Sequence, residues 1–500
     1  MGANSSKLVK PTYTNVSSSS IDDELVTKLQ SLLINTNSDD NDGTESETTY
    51  NPITLSNMDS WETELLSDPK NQLALNCFTG NDITSIIANN VSINKNNQDL
   101  FNYSVSLSGT PITDQKSSGR CWIFASTNVF KEFMKSKFKL NSFQFSQNYL
   151  FFYDKLEKCN FFLNNILTSL DEELDSRLIQ FLLQLPINDG GQFTMIQNLV
   201  NKYGLVPHEI YPDSASSISS SRLNYLINNK LREFALVLRK LSKDEKSTTD
   251  SIKSVKESML KEIFNILTLT LGVPPKPNTE FNWEYNDKFG NYHLVKTTPL
   301  KFYNELLPFN ANNYFSLIND PRNDYSKLYT VDRLNNIEGG IPIEYVNTTI
   351  NEIKQIAIAM IKNNEPVFFG SDVGKFEDSK LGLLDSDSWN YKLGFNTSMN
   401  LTKKERLLTG SSQMTHAMVL TSVHLVDGKP IRWKVENSWG ETFGHKGYFV
   451  MSDKWFDDYV FQIVTNENYT SKELSDIWKS KNYNVLPYYD PMGALAFYSM

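Results

Sequence analysis

The sequence predicts an α+β protein in which a helical lobe and a β-rich lobe flank a long, mostly helical insertion. Three observations carry that prediction. Apolar residues recur at Ile123, Phe130, Phe133, Met134 and Phe138, a helical stripe over 121–138 that begins at a cysteine. Two more stripes follow, one at Leu223, Ile227, Phe234, Leu238 and Leu241, the other at Ile252, Val255, Met259, Ile263 and Ile266. Beyond about residue 410 the pattern changes: Met414–Leu425, Ile431–Val435 and Gly447–Met451 read as strands.

Taken in order, residues 1–52 form a polar tail rich in Ser, Asn and acids, with too little apolar surface to offset the entropy of ordering. It starts Met1-Gly2-Ala3-Asn4-Ser5-Ser6, which fits N-myristoylation at Gly2. A Met-Gly start is common, however, and one acyl chain alone anchors only marginally. Residues 53–210 read as the helical lobe. Residues 211–345 read as the insertion: two amphipathic helices stopped by Pro274-Pro275, then a hairpin of Phe281–Tyr285 and Tyr292–Val295. Residues 346–465 read as the β lobe, with a helix over Ile353–Ile361, and 466–500 as a C-terminal arm.

The net charge of −10 gives no reason to expect nucleic acid as the main partner. Lys230, Arg232, Arg239, Lys240 and Lys243 would be the basic channel if there were one; a solvated helix face is the simpler reading. Three cysteines in 500 residues do not make a disulfide framework and point to a reducing, cytoplasmic setting. No run approaches the roughly 18 apolar residues of a membrane span, and no zinc or phosphate-loop motif is present. No metal or cofactor is expected.

The chemistry concentrates in Gln115-Lys116-Ser117-Ser118-Gly119-Arg120-Cys121-Trp122. A free thiol is mostly protonated at neutral pH, and only the thiolate attacks well. A helix N-terminus offers partial positive charge and unpaired N–H groups, which activate a cysteine placed there. Gln115, six residues upstream, can fold back so that its amide and the Cys121 N–H form an oxyanion hole. A base must come from elsewhere. His416 opens a strand, and Asn437, in Asn437-Ser438-Trp439-Gly440, follows another. An Asn carbonyl can hold an imidazole toward sulfur, and Trp439 can shield that bond. Cys77 and Cys159 read as packing residues, His424 as structural and His445 as solvated in a polar turn. Glu436, at a strand end, is expected to be exposed, and Trp122 to pack in the core.

The Gln-x5-Cys-Trp block, the later His and Asn-Ser-Trp-Gly resemble the papain superfamily. Within it the chain resembles the bleomycin hydrolase family of cysteine aminopeptidases in its fungal form. Further stretches carry that likeness: Tyr149–Lys158, Leu317-Ile318-Asn319-Asp320-Pro321-Arg322, and Asp490-Pro491-Met492-Gly493-Ala494-Leu495-Ala496. Papain-like enzymes place the His roughly 130–150 residues after the Cys; the helical insertion accounts for the wider gap here. The resemblance implies a two-lobed papain-like fold with Cys121, His416 and Asn437 as catalytic residues and Gln115 at the oxyanion. It also implies that the backbone of Gly190-Gly191 pairs with substrate. It implies removal of N-terminal residues from peptides, hydrolysis of bleomycin-like amides, a homohexamer, and an arm ending near Ala496 that lies in the cleft. The family's chain usually stops near Ala496, whereas Phe497-Tyr498-Ser499-Met500 follow here. Self-trimming toward Ala496 is expected; otherwise the tail points away or partly blocks the site. The alternatives are an endopeptidase, if the arm leaves the cleft open, and a nucleic-acid-binding chamber with secondary catalysis.

Overall fold

The computed structural model describes residues 52–106 and 110–496. Gly2, whose start fits an acylation pattern, and residues 497–500, on which trimming was expected, lie outside the described residues.

The predicted cysteine helix spans Cys121–Phe138 and is buried along almost its whole length. It ends where Lys139 turns left-handed, at φ 54°. Beside it runs Gln147–Leu167, started by Ser146, whose hydroxyl accepts the Tyr149 N–H. The helix Phe193–Tyr203 completes this lobe around Trp122, Phe130, Tyr149 and Leu199.

The insertion contains the expected helices, Ser221–Ser242 and Thr249–Leu271. Thr248 and Ser251 form a capping box at the second, and Gly272, at φ 92°, ends it. The hairpin pairs Phe281–Asn286 with Tyr292–Thr297. Its Trp283 meets Phe138 and Phe143 edge-on, which docks the insertion on the far end of the cysteine helix.

Among the described residues one sheet of twelve strands carries the β lobe. Its middle runs Tyr314–Ile318, Val460–Asn466, Val367–Ser371, His416–Val426, Lys429–Glu436 and Tyr448–Ser452. The sheet crosses the boundary expected at 345/346. Tyr314–Ile318, Lys327–Val331 and Tyr345–Asn347 all pair within it, and Tyr483–Leu486 extends its edge. Tyr314–Ile318 pairs directly with Val460–Asn466, which ties those strands into the β-lobe sheet. Register sets the site: His416 lies opposite Ser371, and Val419 opposite Glu436. The ends of two neighbouring strands thereby bring His416 and Asn437 to one edge.

Candidate active site

Cys121 is the first residue of its helix. Arg120 at the cap makes no side-chain capping bond, so the first-turn N–H groups keep their polarity for the sulfur and for a bound oxyanion. The Arg120 guanidinium turns inward. It is fully buried, pairs with Asp213 at 2.7 Å and donates to Ser118 Oγ at 2.8 Å. Those bonds fix the loop that delivers Cys121.

Gln115 is locked at three points. Its N–H donates to the Ser438 carbonyl at 2.8 Å, its Oε1 accepts Ser438 Oγ at 2.7 Å, and its Nε2 donates to the Ser118 carbonyl at 2.7 Å. The amide nitrogen therefore faces the cysteine loop with a second N–H still to give.

His416 Nε2 lies 2.9 Å from Asn437 Oδ1, which also accepts the Ser438 N–H at 2.8 Å. An acceptor on Nε2 makes that nitrogen the protonated one and leaves Nδ1 as the base. The Trp439 ring sits 5.1 Å from the imidazole and covers the bond. Cys121 lies against the start of the His416 strand: the N–H of Ala417, the residue after His416, acts on the Cys121 sulfur together with those of Trp122 and Cys121 itself. Burial nevertheless dominates. It pushes the thiol up to about 11 and brings His416 down to about 4, against the raising effect of the Asn437 bond. Both shifts favour the uncharged forms.

The cover is the arm. Pro491–Ala496 forms a short 3-10 turn, with Met492 through Ala496 buried. The Pro491 carbonyl accepts the N–H of Met414, two residues before His416. The Leu495 carbonyl accepts the Gly191 N–H at 3.1 Å. Gly191 lies flat on Trp122, with room for nothing larger: a Cβ there would fall 2.4 Å from the indole. The arm thus crosses from the histidine side of Cys121 to the double glycine. Gly190 has its own holders, donating to Asn188 Oδ1 at 2.8 Å and accepting from Lys158 Nζ. Arg322 anchors the arm's root, bridging Asp320 and Asp490 at 2.8 Å each. Two stretches distant in sequence, 317–322 and 490–496, meet there.

Asp189 was not singled out from sequence. Its buried carboxylate takes the Gly119 N–H at 3.0 Å and the Lys155 ammonium at 2.6 Å, and its carbonyl takes Trp122 Nε1 at 2.7 Å. It joins the cysteine loop to the double glycine. The one hint was a charged residue beside Gly190-Gly191. Cys159 is buried and Cys77 half-buried, and Trp122 is core, as expected. Two expectations need correction. Glu436 is buried, because it meets Lys131 at 2.6 Å. His445 is half-buried and bonds Asn97 Oδ1 at 2.7 Å, because the chain near residue 97 packs against its turn. Nor do the insertion's basic residues make one free face: Arg239 is buried on the carbonyls of Ser169 and Glu172, Arg232 donates to those of Leu183 and Gln184, and Lys230 pairs with Glu233 and Glu262.

A cysteine at a helix N-terminus, facing a strand-borne His–Asn pair across two lobes, is the arrangement of a papain-like cysteine peptidase. The chain belongs to the Peptidase C1-like family, whose model matches residues 52–493. It is 43% identical over 451 residues to "Cysteine proteinase 1, mitochondrial" of Saccharomyces cerevisiae, covering 89% of this chain and 93% of the yeast protein. It is 43% identical to human "Bleomycin hydrolase" over 444 residues, 87% of this chain and 96% of the human one. The crystal structure of PepW from Lactobacillus rhamnosis superposes with a TM-score of 0.86 at 43% identity, covering 89% of this chain and 99% of PepW. The chain is a cysteine peptidase of the bleomycin hydrolase type.

Proposed function

We propose that Cys121, His416, Asn437 and Gln115 carry amide hydrolysis in this cysteine aminopeptidase of the bleomycin hydrolase type, and that the arm confines it to free N-termini. Cys121 Sγ passes its proton to His416 Nδ1 and attacks the amide carbon. The oxygen becomes an oxyanion held by the Cys121 N–H and Gln115 Nε2. His416 returns the proton to the leaving nitrogen, the C–N bond breaks, and a thioester remains on Cys121. Water, deprotonated by His416, attacks the thioester; the acid leaves and the thiol is restored. No step needs a metal.

The Leu495 carbonyl on the Gly191 N–H carries the exopeptidase reading. That donor is the one an extended substrate would use on the N-terminal side of its scissile bond, and the arm already occupies it. Peptides with a free N-terminus, and amides of bleomycin-like compounds, are the substrates that fit. Gly190, Gly191, Trp439 and Ala496 line their path. The test is one aminoacyl fluorogenic amide, free and N-acetylated, with wild type and Cys121→Ala. Cleavage of the free form alone, by wild type alone, is expected; equal cleavage of the acetylated form would replace the reading with an endopeptidase.

Self-association into a hexamer is supported by the apolar residues the insertion exposes, Tyr225, Leu236, Val237, Phe264, Leu269 and Val273 among them. The partnered arginines of the insertion speak against a nucleic-acid channel. Among the described residues no helix is long and apolar enough to cross a membrane. Residence in the cytoplasm is proposed from the sparse cysteines; the yeast relative's name places that protein in mitochondria.

A further inference from the structure

We propose that the buried ion pair of Lys131 and Glu436 is a positioning clamp for the active site, a reading that rests on the roles proposed above for Cys121, His416 and Asn437. Lys131 lies ten residues after Cys121 on the same helix. Its ammonium is 2.6 Å from Glu436 Oε1, and the two side chains are 1% and 2% exposed. Glu436 ends the strand Lys429–Glu436, and Asn437 follows directly. The same ammonium donates to the Pro111 carbonyl at 3.0 Å. Pro111 begins the segment that runs through Thr113 to Gln115, and that segment is tied in turn to both lobes: Asn128 Nδ2 donates to Thr113 Oγ1 at 2.9 Å, and the Gly440 N–H to the Thr113 carbonyl at 3.1 Å. One charged group therefore joins the helix that bears Cys121, the loop that bears Gln115 and the strand that presents Asn437.

The energetics favour a positioning role over a purely stabilising one. A buried ion pair costs much of what it gains, and a well-packed apolar replacement is often neutral or better for stability. What apolar packing does not supply is direction. The ammonium has fixed acceptors on two segments, so the strand end cannot slide along the helix without breaking a bond. Asn437 needs that constraint, because among the described residues its Nδ2 has no partner and its orientation rests on Oδ1. A strand end free to shift by about 1 Å would misalign the His416–Asn437 bond, and a displacement of that size costs about a hundredfold in rate.

Either single substitution strands a buried charge and unfolds readily, so the test uses K131M/E436Q, which leaves none, and K131E/E436K, which restores an ion pair of opposite sense. Melting and circular dichroism report folding; the aminoacyl amide reports kcat, KM and the pH profile. K131M/E436Q is expected to fold, to lose about tenfold to a hundredfold in kcat with KM within about twofold, and to shift the acid limb of its profile down, since the Asn437 bond raises the His416 pKa. K131E/E436K is expected to recover part of that loss. A folded K131M/E436Q with wild-type kcat and acid limb overturns the clamp, and so does an equal loss in both double variants. Should K131M/E436Q fail to fold, K131E/E436K decides alone: it keeps an ion pair but lacks a donor to the Pro111 carbonyl, so a partial loss of kcat with a lowered acid limb supports the clamp, and wild-type values of both overturn it. Activity surviving in Cys121→Ala would instead overturn the catalytic assignment itself.

Discussion

The cleft and the insertion break opposite rules of burial. Around Cys121 the protein buries charge: Arg120, Lys131, Lys155, Asp189 and Glu436 are all inside, each with a charged partner. The insertion leaves apolar surface outside: Leu269 is 86% exposed and Val273 74%. Buried charges, and apolar surface exposed as a patch, are the two informative departures from ordinary packing. In the cleft the cost of desolvation is offset by directed bonds that fix the loops around the nucleophile. On the insertion none of the described residues covers these apolar groups, which suits them to the proposed contact with another molecule.

The largest effect expected in this contrast comes from the cleft. Gln115→Ala removes the proposed oxyanion donor and also unties Ser438 and Ser118. A fall in kcat of about 10²–10³ is expected, with a smaller change in KM. Steady-state kinetics on the free aminoacyl amide checks this. A fall in kcat/KM carried wholly by KM would place Gln115 in ground-state binding instead.

How much of this was legible depends on distance in sequence. The cysteine helix was read to both its ends because its stripe and its cysteine start are local. Asn437 and Gln115 were found through motif spacing, and the structure puts their side chains on His416 and Ser438. The strands Tyr314–Ile318, Val367–Ser371 and Val460–Asn466 were missed because they are buried on both faces, so no alternation marks them. Glu436 was misread for a related reason. Its partner Lys131 lies 305 positions away, and nothing beside a strand end announces an ammonium waiting inside. An arm in the cleft was foreseen only as family likeness, and its bond to Gly191 not at all, since periodicity carries no information on where an arm returns.

A smaller effect from the same burial concerns stability. Covered by the arm and both lobes, His416 falls from 6.5 to about 4. Between those values the unfolded chain binds a proton that the folded chain refuses, so stability rises with pH across that window. The contribution is fully present above about 6.5 and lost as pH falls through about 4. It amounts to roughly 3 kcal/mol for one fully buried imidazole. Urea unfolding of Cys121→Ala, which removes self-digestion, should show that loss between pH 6.5 and 4. Adding His416→Leu should flatten it. A slope unchanged by the second substitution would assign the loss to another histidine whose pKa the fold lowers, such as His424; Asp490 and Asp372, raised by burial, act with the opposite sign.

The smallest effect on catalysis is expected where the comparison began, on the insertion. Leu269 stands in the last turn of the helix Thr249–Leu271 and Val273 just beyond it, both exposed. Surface substitutions away from packed features change stability by about 0.5 kcal/mol or less, so Leu269→Lys with Val273→Lys should leave the monomer's melting and the kcat per chain nearly unchanged. What should change is mass in solution. Sedimentation of wild type is expected to report an assembly, and the double lysine variant a smaller species, since a charge placed in an apolar contact has no partner there. If wild type and variant sediment alike as monomers, these residues are ordinary surface apolar groups, and only the cleft departs from the rule for a purpose. If both remain assembled, the contact lies on another exposed part of the insertion, such as the hairpin with Phe289, Tyr292 and Leu294.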